Sequence, residues 1–337
     1  MKNAILLLMF LGVNFLKAQQ HISSQQITPG ELWKDSRGES INVHGGGVLF
    51  HDGMYYWYGT HKIPGLSEAT HADGGIHCYS SKDLINWYNM GMVLNLVYGD
   101  DTQDLAYECN FDRPKIVFNA KSGKFVAFFK LYLKGKGTET GFVGVAISKG
   151  PTGPFTYSHK FLGANSPYGS GDFAMQQEDN GDLYYLTVRK PDKKFVVGKM
   201  NDDYLLPEGK YMVCAGILDK TEAPAIVKRN GVYHMIASGS TGWDPNPARY
   251  YTSTSLAGPW EYHGNPCSGI NPNNGVGAEK TFGGQSTFVF KVQRRDDLYV
   301  AMFDVNKPEH PFESRYIWLP VKIKNNTFSI EWQDAWE

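Results

Sequence analysis

Short apolar runs alternate along the chain with turn signals, and each turn is followed by an aromatic-rich run. The clearest case is 221–234. Thr221-Glu222-Ala223-Pro224-Ala225-Ile226-Val227 reads as a buried strand, Asn230-Gly231 as a tight turn, and the run to His234 as the partner strand. Asn-Gly between apolar runs is a strong hairpin signal, because both central turn positions need positive φ. Pro224 lacks an amide donor and is expected to hold Ala223 extended, so Glu222 enters a strand instead of opening a helix. The pattern recurs at 47–58, 115–128, 173–186 and 286–301. Each of these hairpins is followed by a second, at 75–87, 143–155, 195–205, 249–260 and 315–332. The outer strands of the second hairpins are read at the aromatic-bearing ends of those segments: 85–87, 153–155, 204–205, 258–260 and 328–332.

Past the N-terminal segment, helical periodicity nowhere lasts more than a couple of turns. Two hairpins make a four-stranded sheet, and one such sheet cannot bury both faces. Five packed radially can, leaving only short protected edges. The predicted fold is all-β: a five-bladed β-propeller of four-stranded antiparallel blades, one domain over 19–337. A large β-sandwich is the alternative, but it does not predict five matching units.

The first strand of each propeller blade lines the central channel. The segments that open those strands should therefore converge: His44-Gly45-Gly46-Gly47, Asp112-Arg113-Pro114-Lys115, Ser170-Gly171-Asp172, Glu222-Ala223-Pro224 and Gly283-Gly284-Gln285-Ser286. Four of them carry an ionisable group, where a purely structural channel would be small or apolar. Glu222 is a lone carboxylate at the mouth of an apolar strand. Apolar walls raise a carboxyl pKa, which suits a general acid. The bland alternative, a strand-end Glu paired with Arg or Lys, does not explain the convergence.

Composition narrows the partners. Aromatic residues make up 14% of the chain and there are 37 glycines, which fits many turns and stacking surfaces. The net charge of −1 gives no reason to expect nucleic acid or an anionic membrane as partner. Lys2 followed by the apolar run 4–16 reads as a signal peptide over 1–18, with cleavage at Ala18-Gln19. The run is too short to span a bilayer, and no Cys follows it to carry a lipid. The mature protein is expected in the periplasm or outside the cell. Cys78, Cys109, Cys214 and Cys267 are too far apart for a zinc motif and read as buried free thiols, although export permits disulfides.

Three local motifs point elsewhere and fail. His44-Gly45-Gly46-Gly47 looks like a lipase oxyanion loop, but no Gly-x-Ser-x-Gly elbow accompanies it. The three glycines are read as removing bulk at the funnel. Trp243-Asp244-Pro245-Asn246-Pro247 reads as a rim loop, and Lys134-Gly135-Lys136-Gly137 as a solvated one. No phosphate-binding loop or metalloprotease motif is present.

Five motifs together resemble glycoside hydrolase family 43, over essentially the whole mature chain. They are His44 to Gly47, Asp112 to Lys115, Glu222 to Ala225, Thr241 to Asn246, and Gly283 to Thr287. The similar branches include exo-β-1,3-galactanases, α-L-arabinofuranosidases and β-D-galactofuranosidases, all inverting. The resemblance implies Glu222 as general acid, Asp112 as the carboxylate that tunes it, and Gln285 as the group that orients the water. Gly45 stands where most of the family has an Asp base. Asp172 is the first substitute should Gln285 not handle the water. His44, Gly45, Asp172 and Asn246 are candidate sugar contacts; Tyr58 and Trp243 are read as rim aromatics and Arg315 as reaching a hydroxyl from the start of the last hairpin pair, each with packing as the alternative. Thr60 and Gly171 depart from the Glu and Arg of the similar branches, which changes sugar contacts. No cofactor is implied, although a structural Ca2+ in the channel has room. The expected protein is a monomeric exo-glycosidase that removes galactosyl or arabinofuranosyl units from a plant-type polysaccharide. A propeller that binds glycan without cleaving it is the rival, but binding alone needs no acid.

Overall fold

The structure, a computed structural model, describes residues 26–242 and 244–337. The expected signal peptide and Trp243 lie outside the described residues. Among these residues the strands form five blades in chain order. Blade one holds β1 (His44–His51), β2 (Met54–Lys62), β3 (Asp73–Ser81) and β4 (Tyr88–Asn95). Blade two holds β5 (Asn110–Asn119), β6 (Lys124–Tyr132), β7 (Phe142–Ser148) and β8 (Thr156–Leu162). Blade three holds β9 (Ser170–Gln177), β10 (Leu183–Arg189), β11 (Phe195–Met200) and β12 (Pro207–Val213). Blade four holds β13 (Thr221–Arg229), β14 (Val232–Gly239), β15 (Arg249–Ser253) and β16 (Glu261–Tyr262).

The short strands β17 (Cys267–Ser268), β18 (Ile270–Asn271) and β19 (Val276–Gly277) follow. Blade five is β20 (Gln285–Lys291), β21 (Tyr299–Val305), β22 (Arg315–Lys324) and β23 (Thr327–Glu331). The four strands of each blade pair antiparallel in sequence order, and β17 adds to β23 in parallel. No helix among the described residues is long and apolar enough to cross a membrane.

Each blade presents one face to each neighbour, so alternate residues of a strand enter different cores. Trp57 packs between blades one and five, and its neighbour Tyr58 between blades one and two. Three further apolar clusters fill the remaining gaps between blades. Ring closure falls on the first of these clusters. Ile27 and Trp336 exchange two backbone hydrogen bonds at 2.8 and 3.0 Å, and Trp33 packs beside Trp57 and Trp318. The Trp57–Trp318 centroids are 4.7 Å apart, edge to face, the arrangement aromatic quadrupoles favour. Cys78, Cys109 and Cys214 are buried free thiols, and Cys267 is half-buried and free.

Two expectations are corrected. In blades one to four the outer strands start after the aromatic residues assigned to them. Trp87, Phe155, Tyr204 and Trp260 are buried corner plugs that precede β4, β8, β12 and β16. An outer strand has one covered face at most, so its own residues are largely polar. The second correction is Ala223, which has φ +54° and is not extended. A β-bulge between Glu222 and Ala225 puts it there.

Trp57→Ala should lower stability by about 3–5 kcal/mol, the usual cost of emptying a packed Trp site. The check is the urea midpoint at unchanged slope. A loss below about 1 kcal/mol would show that the closing cluster collapses around the gap.

Candidate active site

The bulge at Ala223 is one of a set. Pairing registers slip at the start of β1 between His44 and Gly47, of β5 between Asp112 and Lys115, and of β20 between Ser286 and Phe288. The ladder of β9 slips as well, between Thr187 and Arg189 of its partner β10. Three bulges hold a left-handed residue: Gly45 at φ +66°, Arg113 at +53° and Ala223 at +54°. The extra residue breaks the in–out alternation, and the residues around it line the funnel.

The three glycines of blade one serve different ends. A Cβ at Gly45 would meet Asp112 Oδ1 at 2.9 Å, so its bareness serves the funnel. A Cβ at Gly46 would meet the Tyr58 carbonyl oxygen at 1.6 Å, and one at Gly47 would meet Phe288 at 2.9 Å. Those two serve packing.

The funnel is a cavity of about 430 Å³. Of the implied residues, His44, Gly45, Asp112, Asp172, Glu222, Asn246 and Gln285 line it. Glu222 Oε2 accepts from Ser240 Oγ at 2.7 Å, and Oε1 accepts from Gln285 Nε2 at 3.1 Å. Its immediate walls are thus polar, against the apolar setting expected for it. Gln285 Nε2 also donates to Ser238 Oγ at 2.9 Å, and its Oε1 accepts from Arg113 Nη2. Arg113 Nη1 donates to the Ser286 carbonyl at 3.0 Å, and Nε lies 3.2 Å from Asp172 Oδ1. Asp112 Oδ1 accepts from the Arg113 amide at 2.8 Å.

Asp172 also pairs with Lys130 Nζ at 2.9 Å. Burial alone would raise the Asp172 pKa, but Arg113 and Lys130 outweigh it and hold the carboxyl well below the usual range. His44 is buried against Tyr316, with ring centroids 5.3 Å apart. Burial, then the charges of Lys62, His61 and Arg315, lowers its pKa well below the ordinary value, so it is neutral. The Tyr316 hydroxyl donates to the Ile41 carbonyl, so it accepts from His44 Nε2 at 3.4 Å. That leaves Nδ1 as a buried acceptor with no hydrogen-bond partner among the described residues, while the residue itself forms part of the cavity wall.

Three implied contacts change. Tyr58 is 1% exposed and gives its hydroxyl to the Pro151 carbonyl at 2.7 Å, so it is a core residue and not a rim aromatic. Arg315 is not among the lining residues and turns to the carbonyls of Glu313 and Ser314. The Asn246 amide is spent on its own loop: it accepts from the Gly239 amide at 2.7 Å and donates to the Gly239 carbonyl and to Thr241 Oγ1.

Several lining residues went unassigned in the sequence. Arg113 stood inside the Asp112 to Lys115 motif without a role, and its neighbour Lys115 is buried and does not line the cavity. Lys62 and Asp73, paired at 2.6 Å, and Asp304 come from second and third strands, which no motif marks. Lys115 Nζ sits among the carbonyl oxygens of Gly45, Gly46, Arg113 and Pro114 at 3.0–3.5 Å. Those carbonyls are already met by the Lys115 amine and offer no place to a Ca2+. Among the described residues, no cluster of three or more His, Cys, Asp or Glu is placed to hold a metal.

A β-propeller whose funnel gathers hydrogen-bonded carboxylates, an amide and a neutral imidazole is built for polar, uncharged ligands and for proton transfer. Such a site suits a carbohydrate-acting hydrolase. The sequence model for glycosyl hydrolases family 43 matches residues 46–310, and the chain belongs to that family. It superposes with TM-score 0.82 and 35% identity on a family 43 β-1,3-galactosidase bound to galactodeoxynojirimycin, covering 92% of this chain and 99% of that one. An exo-β-1,3-galactanase from Phanerochaete chrysosporium bound to galactose gives 0.78 and 29%, covering 92% of this chain and 67% of that one. One from Clostridium thermocellum gives 0.78 and 29%, covering 92% and 66%. No curated protein matches the sequence.

Arg113→Met strands the Asp172 carboxylate with Lys130 alone. Breaking a buried ion pair from one side costs about 3–5 kcal/mol. Urea unfolding at pH 7 should show a loss of that order. Because Asp172 is held low in the folded state, its contribution is present above about pH 4, the ordinary carboxyl value, and is lost as pH falls further. The variant should lose less stability than the wild type on moving from neutral pH to about 3. Equal losses would place the acid sensitivity elsewhere.

Proposed function

We propose that this glycoside hydrolase is an exo-acting, inverting enzyme that removes terminal β-1,3-linked galactose. The observation that carries the reading is the placement of Glu222. It sits in a monosaccharide-scale cavity, with one oxygen on Ser240 and the other on Gln285. A hydroxyl can donate to a carboxylate or turn its lone pair to a carboxylic acid. Ser240 therefore accommodates Glu222 before and after it gives up a proton. A cavity of about 430 Å³ is of small-ligand size and suits the end of a glycan chain. The relatives with bound galactose or a galactose-like inhibitor support the choice of sugar over arabinofuranose.

Glu222 delivers its proton to the leaving oxygen. Arg113 fixes Gln285 and Asp172, and Asp112 shares the Arg113 backbone. The neutral His44 ring forms part of the wall. Charge-neutral polar groups of this kind fix a sugar's orientation without competing for its proton.

Glu222→Gln keeps the shape and removes the donated proton. General acid catalysis is worth about 10²–10⁴-fold, so kcat/KM on β-1,3-galactobiose should fall by that factor. A nitrophenyl β-galactoside, whose leaving group needs little protonation, should lose far less. Equal losses on the two substrates would deny Glu222 the acid role. Release of arabinose in place of galactose from a nitrophenyl panel would redirect the sugar assignment.

A further inference from the structure

Inversion also needs a group that takes a proton from the attacking water, on the sugar face opposite the acid. The following inference rests on the reading of the protein as an inverting galactosidase. Gln285 is ill suited to that task. Both Nε2 protons are given away, to Glu222 and to Ser238, and Oε1 already accepts from Arg113. One amide lone pair remains, enough to hold a water and too weak a base to keep its proton. Asp172 is ion-paired to Arg113 and Lys130, which makes it a weak base. Asp112 turns Oδ1 to the Arg113 amide and holds Oδ2 3.8 Å from Arg113 Nε, so both its oxygens face that residue.

Asp304 differs from all three. It lies on β21 directly across the ladder from Gln285. Residues so paired have Cβ atoms about 4.5–5.5 Å apart. Gln285 Nε2 donates to Glu222 Oε1 at 3.1 Å, so the same glutamine neighbours both carboxyls. Asp304 Oδ2 accepts from the Gly45 amide at 2.6 Å, and Oδ1 has no hydrogen-bond partner among the described residues. The side chain lines the cavity.

The groups that face it are Arg113, Lys115 and Asp112 from β5, the Gly45 amide from β1, and Tyr316, its register partner on β22. Burial pushes its pKa up and Asp112 adds to this, while the Gly45 amide, Arg113 and Lys115 hold it back. The result is about 7. A base poised near neutrality suits water activation.

We propose that Asp304 is the catalytic base, taking the proton of the attacking water while Gln285 holds that water from the side. The water oxygen bonds to the anomeric carbon as the bond to the leaving oxygen breaks. Glu222 gives its proton to that oxygen, and the Asp304 carboxylate receives the proton of the water. Exchange with solvent resets both carboxyls.

The test compares wild type, Asp304→Asn and Asp304→Ala on β-1,3-galactobiose and a nitrophenyl β-galactoside. Attack is needed for both substrates, so kcat/KM for Asp304→Asn should fall alike on each, by about 10²–10⁴-fold. Azide needs no base. It should restore turnover of the nitrophenyl substrate by Asp304→Ala and yield the α-galactosyl azide. The base works ionised, so wild-type kcat/KM should rise as pH rises through about 7, and Asp304→Asn should lack that limb. Folding is checked by melting: a raised carboxyl pKa means that ionised Asp304 costs stability, so Asp304→Asn should melt no lower at neutral pH.

Wild-type rates in a folded Asp304→Asn would overturn the assignment and leave the galactosidase reading standing. A loss that azide does not relieve, with the acidic limb unchanged, would make Asp304 a structural residue and also overturn it. Should neither variant fold, a wild-type profile without the acidic limb overturns it. A wild type that releases no sugar from any galactoside overturns both readings together.

Discussion

The Arg113 guanidinium is the interaction on which the funnel depends. A buried cation is tolerated only when its donors are met and its charge is answered. Arg113 meets that condition with groups from separate blades: Asp172 from blade three, and the Gln285 side chain and Ser286 carbonyl from blade five. Its own blade supplies Asp112. The planar fork of arginine reaches these partners at fixed angles, where a lysine would offer one point charge. The relative placement of the blades is therefore written into one side chain. Gln285 is held by it, and Glu222 is held by Gln285.

What brings such groups inward is backbone irregularity. A regular strand sends alternate residues into the two flanking cores and none to the axis. The bulges opening β1, β5 and β13 spend a left-handed residue each, and two of those three are not glycine. Left-handed Arg113 and Ala223 each cost on the order of 1–3 kcal/mol. The packing of Gly46 against Tyr58 and the hydrogen bonds of Arg113 hold the bulges in place. Strain and function coincide here because the same residue that departs from the strand delivers the side chain to the funnel.

The sequence made the inner half of this molecule legible. Inner strands are covered on both faces and read as apolar runs, and the motifs at their mouths converge as expected. The outer strands were not legible at their true positions. Their polar residues carry no signal, and the buried plugs Trp87, Phe155, Tyr204 and Trp260 drew the assignment one turn too early. Tyr58 was misread for the opposite reason. An aromatic residue looks the same in sequence whether it faces a sugar or a neighbouring blade, and its register against blade two decides. The Asn246 and Arg315 side chains were assigned by type, and their own loops claim them. Asp304 is the last residue but one of an ordinary aromatic strand. Its approach to the Gly45 amide is a contact between residues at opposite ends of the chain, which no local pattern encodes.

Carboxyls that share this funnel meet different neighbours. Asp172 faces two cations at hydrogen-bond distance and stays ionised, so it carries structure. Glu222 faces a hydroxyl and an amide, which can serve it with or without its proton. Asp304 faces one backbone amide directly, and burial keeps its proton within reach of neutral pH. Assignment by distance alone would treat the three as interchangeable. What separates them is the charge and donor count of the shell around each, and that shell is built largely by Arg113. Asp172 absorbs its charge, so the cation organises the site without fixing Asp304 in its ionised form.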